Sequence, residues 1–173
     1  MAGALEIRPA TAADVPALRT LGVRAWHAAY DGVLAPAAID AAVAESWNEY
    51  SLGAACRDAR MLVATRGGAP VGLLESDRMA DGRAVVWKLY VAPEAQRTGV
   101  GRALLERCAR ALHPSEELWL EHDEVNGAAA RFFARLGFTV RGVAPSEHDP
   151  AVSVVWRARA AGARATPAAT GAT

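Results

Sequence analysis

Three strand-like segments follow one another between residues 61 and 91 with only tight turns between them, which rules out most α/β architectures at once. Residues 61–65 are largely apolar, and Gly67-Gly68 behind them is a hairpin signal. Residues 71–76 supply the second segment and Asp81-Gly82 the second turn. Residues 83–91 form the third, with Val85, Trp87, Leu89 and Val91 at alternate positions on one face. Strands joined this closely leave no room for a crossover helix. They make an antiparallel meander, not the start of a βαβ unit.

The flanking sequence completes the frame. Leu5-Glu6-Ile7-Arg8 alternates as a short first strand would. Thr11 with Asp14 three residues on reads as a capping box, and Pro16 also suits a first helical turn. The helix that follows carries Leu18, Leu21, Ala25 and Trp26 on one stripe and ends near Asp31-Gly32. A second helical region, 36–57, contains Ile39, Val43 and Trp47. Beyond the meander Pro93 stops the strand, and a helix begins near Gly99 with Val100, Leu104, Cys108, Ala111 and Leu112 inside. His113-Pro114 ends it, and 118–121 is a short strand. A helix over 126–136 places Ala129, Phe132, Phe133 and Leu136 on one face, and Gly137 caps it. Strands at 138–143 and 152–157 close the series.

The order is β-α-α-β-β-β-α-β-α-β-β. It predicts an α/β (α+β) single domain: a mixed, mostly antiparallel twisted sheet of about seven strands with helices on both faces. From 158 to 173 the chain is mostly Ala, Gly, Thr, Arg and Pro, so the domain is expected over 1–157 and a disordered tail after it.

Charge and cysteine content narrow the function. The 19 basic and 19 acidic side chains cancel, which leaves no field to draw the protein to nucleic acid or anionic lipid. No stretch approaches the ~18 apolar residues of a membrane span. The N-terminus carries Glu6 and Arg8 and lacks a signal-peptide core, so a cytoplasmic location is expected. Cys56 and Cys108 lie far apart without metal-ligand partners, so they read as small buried hydrophobes, with no disulfide and no metal site.

The chemistry is concentrated in residues 89–104, where a strand leads into a glycine-containing loop that opens directly into a helix. The first amides of a helix lack intrahelical partners and sit at the positive end of its dipole, so such a turn suits a pyrophosphate. A P-loop would need Gly-Lys-Ser/Thr, but Gly101 is followed by Arg102-Ala103. A dinucleotide fingerprint would need a third glycine where Leu104 stands, and a βαβ unit where the meander stands. What remains is Gln/Arg-x-x-Gly-x-Gly/Ala, matched by Gln96, Gly99 and Gly101.

That loop resembles the acetyl-CoA-binding motif of the GNAT superfamily (Gcn5-related N-acetyltransferases). A second segment strengthens the likeness. Asn126, Ala129, Phe132, Phe133, Gly137 and Phe138 match the Asn-x-x-Ala-x-x-Phe-Tyr-x-x-x-Gly-Phe helix of the same family, at a typical distance from the loop. The similarity spans roughly residues 5–157.

The resemblance implies acetyl-CoA as acyl donor, no metal, and roles for particular residues. Backbone amides among Gln96, Arg97, Thr98, Gly99, Val100, Gly101 and Arg102 would cradle the pyrophosphate. Backbone groups of Leu89, Tyr90 and Val91 would pair with the pantetheine like an added strand, and strand 118–121 would splay away to leave a slot for the thioester. Asn126 would contact the pantetheine, a role compatible with capping its helix. Phe133 stands where the family often has the Tyr that protonates the departing thiolate. Phe cannot donate a proton, so Phe133 reads as a core or pantetheine-packing ring.

For the base that takes the amine proton, Glu75 and Glu121 are the candidates, Glu75 because a carboxylate on a mostly apolar strand is unusual, with His122 third. The resemblance places the acceptor groove near Trp26, Tyr30 and His148, the last inside the acidic run Glu147-His148-Asp149. Two readings of function follow. One is an acetyl-CoA-dependent N-acetyltransferase acting on a primary amine, of a small molecule or a peptide. The other is a degenerate acyl-CoA sensor, motivated by Phe133. The family's habit of dimerising makes a homodimer compatible with either.

Overall fold

The computed structural model describes residues 3–30, 32, 36–146 and 152–163. Seven strands lie in one sheet: β1 (Leu5–Pro9), β2 (Met61–Arg66), β3 (Ala69–Arg78), β4 (Ala84–Val91), β5 (Glu117–Asp123), β6 (Thr139–Pro145) and β7 (Ser153–Ala160). Their order across the sheet is β1-β2-β3-β4-β5-β7-β6. The β1–β2, β2–β3, β5–β7 and β6–β7 pairs are antiparallel, and β4–β5 is parallel, as the sequence led one to expect of a mixed sheet. The helices are α1 (Val15–Tyr30), α2 (Pro36–Ser46), α3 (Glu49–Arg57), α4 (Val100–Ala109) and α5 (Gly127–Arg135). Among the described residues no helix is long and apolar enough to cross a membrane.

Two compact units share the chain, the first made of Met1–Ser76 with Lys88–Cys108, the second of Asp77–Trp87 with Ala109–Thr173. In the first, Leu18, Leu52, Met61, Val63, Leu73, Leu74 and Leu104 have no solvent exposure and form the core. The entry to α1 is held as the sequence suggests. Asp14 reaches back to the Thr11 N–H at 2.8 Å and accepts two further bonds from Arg8, each at 2.8 Å. The Arg8 guanidinium, aided by Thr11, holds the Asp14 carboxyl well below the usual carboxylate range.

The expected single helix over 36–57 is two helices. The chain leaves α2 at Trp47, and Asn48 caps α3 by accepting from the Ser51 N–H at 2.8 Å. Neither glycine nor proline marks the break. Burial drives it instead, because the Trp47 side chain is 1% exposed and needs the turn to point inward.

In the second unit the parallel register joins Ala84–Val86 to Leu118–Leu120, and β5 buries every second residue, including Leu118 and Leu120. Trp87, 43% exposed, meets Trp156 edge-on with centroids 6.1 Å apart, so burial along β4 changes between Val85 and Trp87 although alternation puts both on one face. Strand β7 runs to Ala160, so residues 158–160, assigned above to the tail, belong to the sheet. The small side chains of Ala158 and Ala160 hide the pattern, but Arg159 is buried, donating to the Leu136 carbonyl at 2.8 Å and lying over the Phe138 ring. Residues 164–173 lie outside the described residues.

Candidate functional site

The loop ahead of α4 has the local geometry its sequence implied. A 3-10 turn at Pro93–Ala95 buries Ala95 and leaves Gln96, Arg97, Thr98 and Gly99 exposed. Gly99 has φ +88°, a left-handed conformation that strains any residue with a Cβ. Arg97 accepts the same strain at φ 61°. The first bond of the helix runs from the Ala103 N–H to the Gly99 carbonyl at 3.0 Å. The amides of Val100, Gly101 and Arg102 therefore precede the ladder and suit an anionic oxygen. Thr98 Oγ1 donates to the Ala95 carbonyl at 2.6 Å, and Arg66 reaches the Thr98 carbonyl at 3.4 Å. Arg102 pairs with Glu106 one turn along at 2.7 Å, an exposed i,i+4 pair that water competes with readily.

Sequence reasoning missed a residue that seats this turn. A Cβ on Gly72 of β3 would lie 2.7 Å from Val100 Cγ1 and 3.2 Å from Leu104 Cδ1. The first turn of α4 thus closes directly on the sheet because position 72 has no side chain. A glycine inside an apolar strand was the available signal.

Leu89, Tyr90 and Val91 are half-buried on the second half of β4, and the Val91 carbonyl accepts from Gln96 Nε2 at 3.4 Å. Tyr90 also anchors an aromatic cluster. The Trp47 ring stands edge-on to it at 5.0 Å, and Trp26 lies 6.1 Å from Tyr90 and 4.6 Å from Tyr30. Glu75, 7% exposed, accepts from Arg60 Nη1 and Lys88 Nζ at 2.6 Å each. Its two oxygens are each engaged by a cation, which makes Glu75 an organiser of charge rather than an open base. Arg60 and Lys88, its partners, were not singled out by the sequence.

The remaining candidates belong to the second unit. Glu121 is half-buried on β5, opposite Trp156 of β7. His122 is buried, with Nδ1 at 2.9 Å from the Asp123 carbonyl and Nε2 accepting from Arg157 Nε at 3.0 Å. That pattern assigns the Nδ1–H tautomer and leaves neither ring nitrogen for an amine proton. Asn126 caps α5 by accepting from the Ala129 N–H at 3.0 Å. Phe133 is 7% exposed, stacked on His122 at 5.9 Å and edge-on to Phe132 and Phe138, as a core ring would be. His148, with Asp31, Glu147 and Asp149, lies outside the described residues.

With this geometry in view, known proteins are informative. The family model described as an acetyltransferase (GNAT) domain matches residues 57–140, which takes in β2–β5, the loop, α4 and α5. A curated relative, "Probable N-acetyltransferase Rv2775" of Mycobacterium tuberculosis, is 29% identical over 143 residues, covering 80% of this chain and 82% of that protein. Among solved structures, the PaiA N-acetyltransferase of Thermoplasma acidophilum in complex with coenzyme A superposes with TM-score 0.75 at 19% identity, covering 88% of this chain and 98% of that one. The ribosomal-protein-S18-alanine N-acetyltransferase of Escherichia coli gives TM-score 0.66 at 21% identity over 98% of this chain and all of its own, 100%. At those identities the structures speak to the fold, and the fold agrees with what the family model and the curated relative say of the sequence. Residues 57–140 of this chain thus match the GNAT acetyltransferase domain, and the chain is similar in sequence and in fold to N-acetyltransferases of that family.

Proposed function

We propose that the protein moves an acetyl group from acetyl-CoA to a primary amine, of a small molecule or a peptide, by direct attack within a ternary complex. The observation that carries this reading is the turn at 96–102, exposed from Gln96 to Gly99, where Gly99 at φ +88° leads into helix-start amides that have no intrahelical acceptor. Bound there, acetyl-CoA supplies an activated thioester. The amides of Val100, Gly101 and Arg102 hold its pyrophosphate, and the backbone of Leu89, Tyr90 and Val91 aligns its pantetheine. Asn126 and Phe133 are assigned to the same ligand, Phe133 by packing alone.

Glu121, half-buried on β5, is assigned as the group that takes the amine proton. With Phe133 unable to donate, the thiolate takes its proton from water. Trp26 and Tyr30 are assigned to the acceptor. A cytoplasmic location and a homodimer belong to this reading too, the first tested by cell fractionation and the second by light scattering.

The test is calorimetric titration with acetyl-CoA, free CoA, NAD and ATP. Binding of the CoA species alone is expected, weakened about a hundredfold by Gly99→Asp, which adds both backbone strain and a negative charge at the turn. Equal binding by the variant would sink the loop assignment. Glu121→Gln is expected to lower kcat at least about a hundredfold while acetyl-CoA still binds. Cofactor binding without turnover of any amine would favour the sensor reading instead.

A further inference from the structure

The cluster around Tyr90 holds polar atoms that the reaction as described does not use. Among the described residues, the indole Nε1 of Trp26 and that of Trp47 are both buried and have no hydrogen-bond partner. A buried N–H left unmatched is uncommon and asks for an explanation. Indole nitrogen can only donate, so whatever answers these groups must bring acceptor atoms. Trp47 is also held rigidly. A Cβ on Gly22 of α1 would fall between 2.0 and 2.4 Å from three of its ring atoms, so the ring sits against bare backbone.

Lys88 adds a charge beside the same ring. Its Nζ lies 5.8 Å from the Trp47 ring centroid and 2.6 Å from Glu75 Oε2. An ammonium has three N–H groups, and the bond to Glu75 uses one. Glu75 divides its charge between two cations, and Arg60 additionally has Asp58 at 3.5 Å. Lys88 has Glu75 as its sole carboxylate among the described residues, which leaves N–H groups of its ammonium for a further acceptor. Two indole donors whose rings both meet Tyr90, with a cation beside one of them, suit an anion with two acceptor oxygens. The same cation opposes a second positive charge.

We propose that Lys88 and the indole N–H groups of Trp26 and Trp47 form a carboxylate-binding position, so that the acceptor is an amine bearing a carboxylate, such as an α-amino acid. The substrate class rests on the acetyltransferase reading, whereas carboxylate binding can be observed without it. The amine then reacts as its neutral form while the carboxylate stays anchored.

The experiment uses the full chain, 15N-labelled and saturated with CoA, titrated with the proteinogenic L-amino acids, each beside its carboxamide. The five tryptophans give separate indole N–H resonances, and Trp26→Phe and Trp47→Phe assign two of them. Those two are expected to move with at least one amino acid and to stay still with its carboxamide. Lys88→Gln should weaken that amino acid about tenfold or more, and Lys88→Arg should restore most of the affinity. Equal response to acid and amide, or indoles that never move (the result an internal water would give), overturns the proposal. If Lys88→Gln also loses CoA, the substitution is structural and the wild-type indole shifts decide. Failure of CoA itself to bind, seen by calorimetry, would break the acetyltransferase reading separately.

Discussion

The clusters around Tyr90 and around Phe133 are built from similar side chains, yet they treat most of their polar atoms differently. Around Phe133, His122 commits one ring nitrogen to a backbone carbonyl and the other to Arg157, which also reaches the Phe138 carbonyl at 3.3 Å. Around Tyr90, two indole nitrogens are buried without a partner while a buried carboxylate is shared by two cations. The first arrangement stabilises a fold. It too leaves one buried N–H unmatched, Nε of Arg159 over the Phe138 ring, but Nη1 of the same guanidinium meets the Leu136 carbonyl, whereas each indole of the second cluster has no other donor. The lesson is that the residue to examine for binding is not the most exposed aromatic but the one whose donor has nowhere to go.

Substitutions can separate the two clusters. The largest effect is expected from Glu75→Gln, which strands Arg60 and Lys88 without their shared counter-charge. A loss of about 2–4 kcal/mol in urea unfolding is expected, below the range for fully buried pairs because both cations keep some contact with water. Gly22→Ala should cost about 1–3 kcal/mol by overpacking against Trp47, and the fluorescence of that tryptophan should change with it. No change in either would show that the Trp47 seat is soft. In the other cluster, His122→Phe keeps the stack on Phe133 but removes the acceptor of Arg157 Nε. The expected loss is about 1–2 kcal/mol, with acetyl-CoA binding intact.

The smallest effect lies outside both clusters and serves as their control. The Asp14 carboxyl is held below its ordinary value of 3.8 by Arg8. Its contribution is therefore complete above that value and lost as the pH falls below it. Asp14→Asn should cost about 1 kcal/mol at neutral pH and progressively less in acid. A pH-independent cost would mean that the carboxylate's charge is not what matters at that turn.

How far the sequence could be read depended on the range of the forces at each place. The meander was legible because alternation and turn residues are local, and the loop before α4 because a glycine with positive φ next to a helix start is a local requirement as well. Asp14 and Thr11 declared their bond three residues apart. The break at Trp47-Asn48 was not legible, because it answers to a ring seat on Gly22 of another helix. Glu75 stood out as an odd carboxylate, but its partners lie 15 and 13 residues away and nothing in the intervening sequence names them. At the end of β7, the small side chains of Ala158 and Ala160 read as tail because the strand's stability comes from pairing with Trp119 and Glu117 of β5.

The discontinuity of the first unit has a consequence during synthesis. A nascent chain possesses every residue of that unit once Cys108 has been added, whereas Ala84–Val86 must wait for Leu118–Leu120 before they gain their parallel neighbour. At about 5–20 residues per second the delay is on the order of a second. Throughout it, an apolar strand segment that is buried in the finished protein has one edge open. A chain stopped just after Cys108 would keep that edge open indefinitely, which makes the stretch from Ala109 to Leu120 the protein's own protection against self-association.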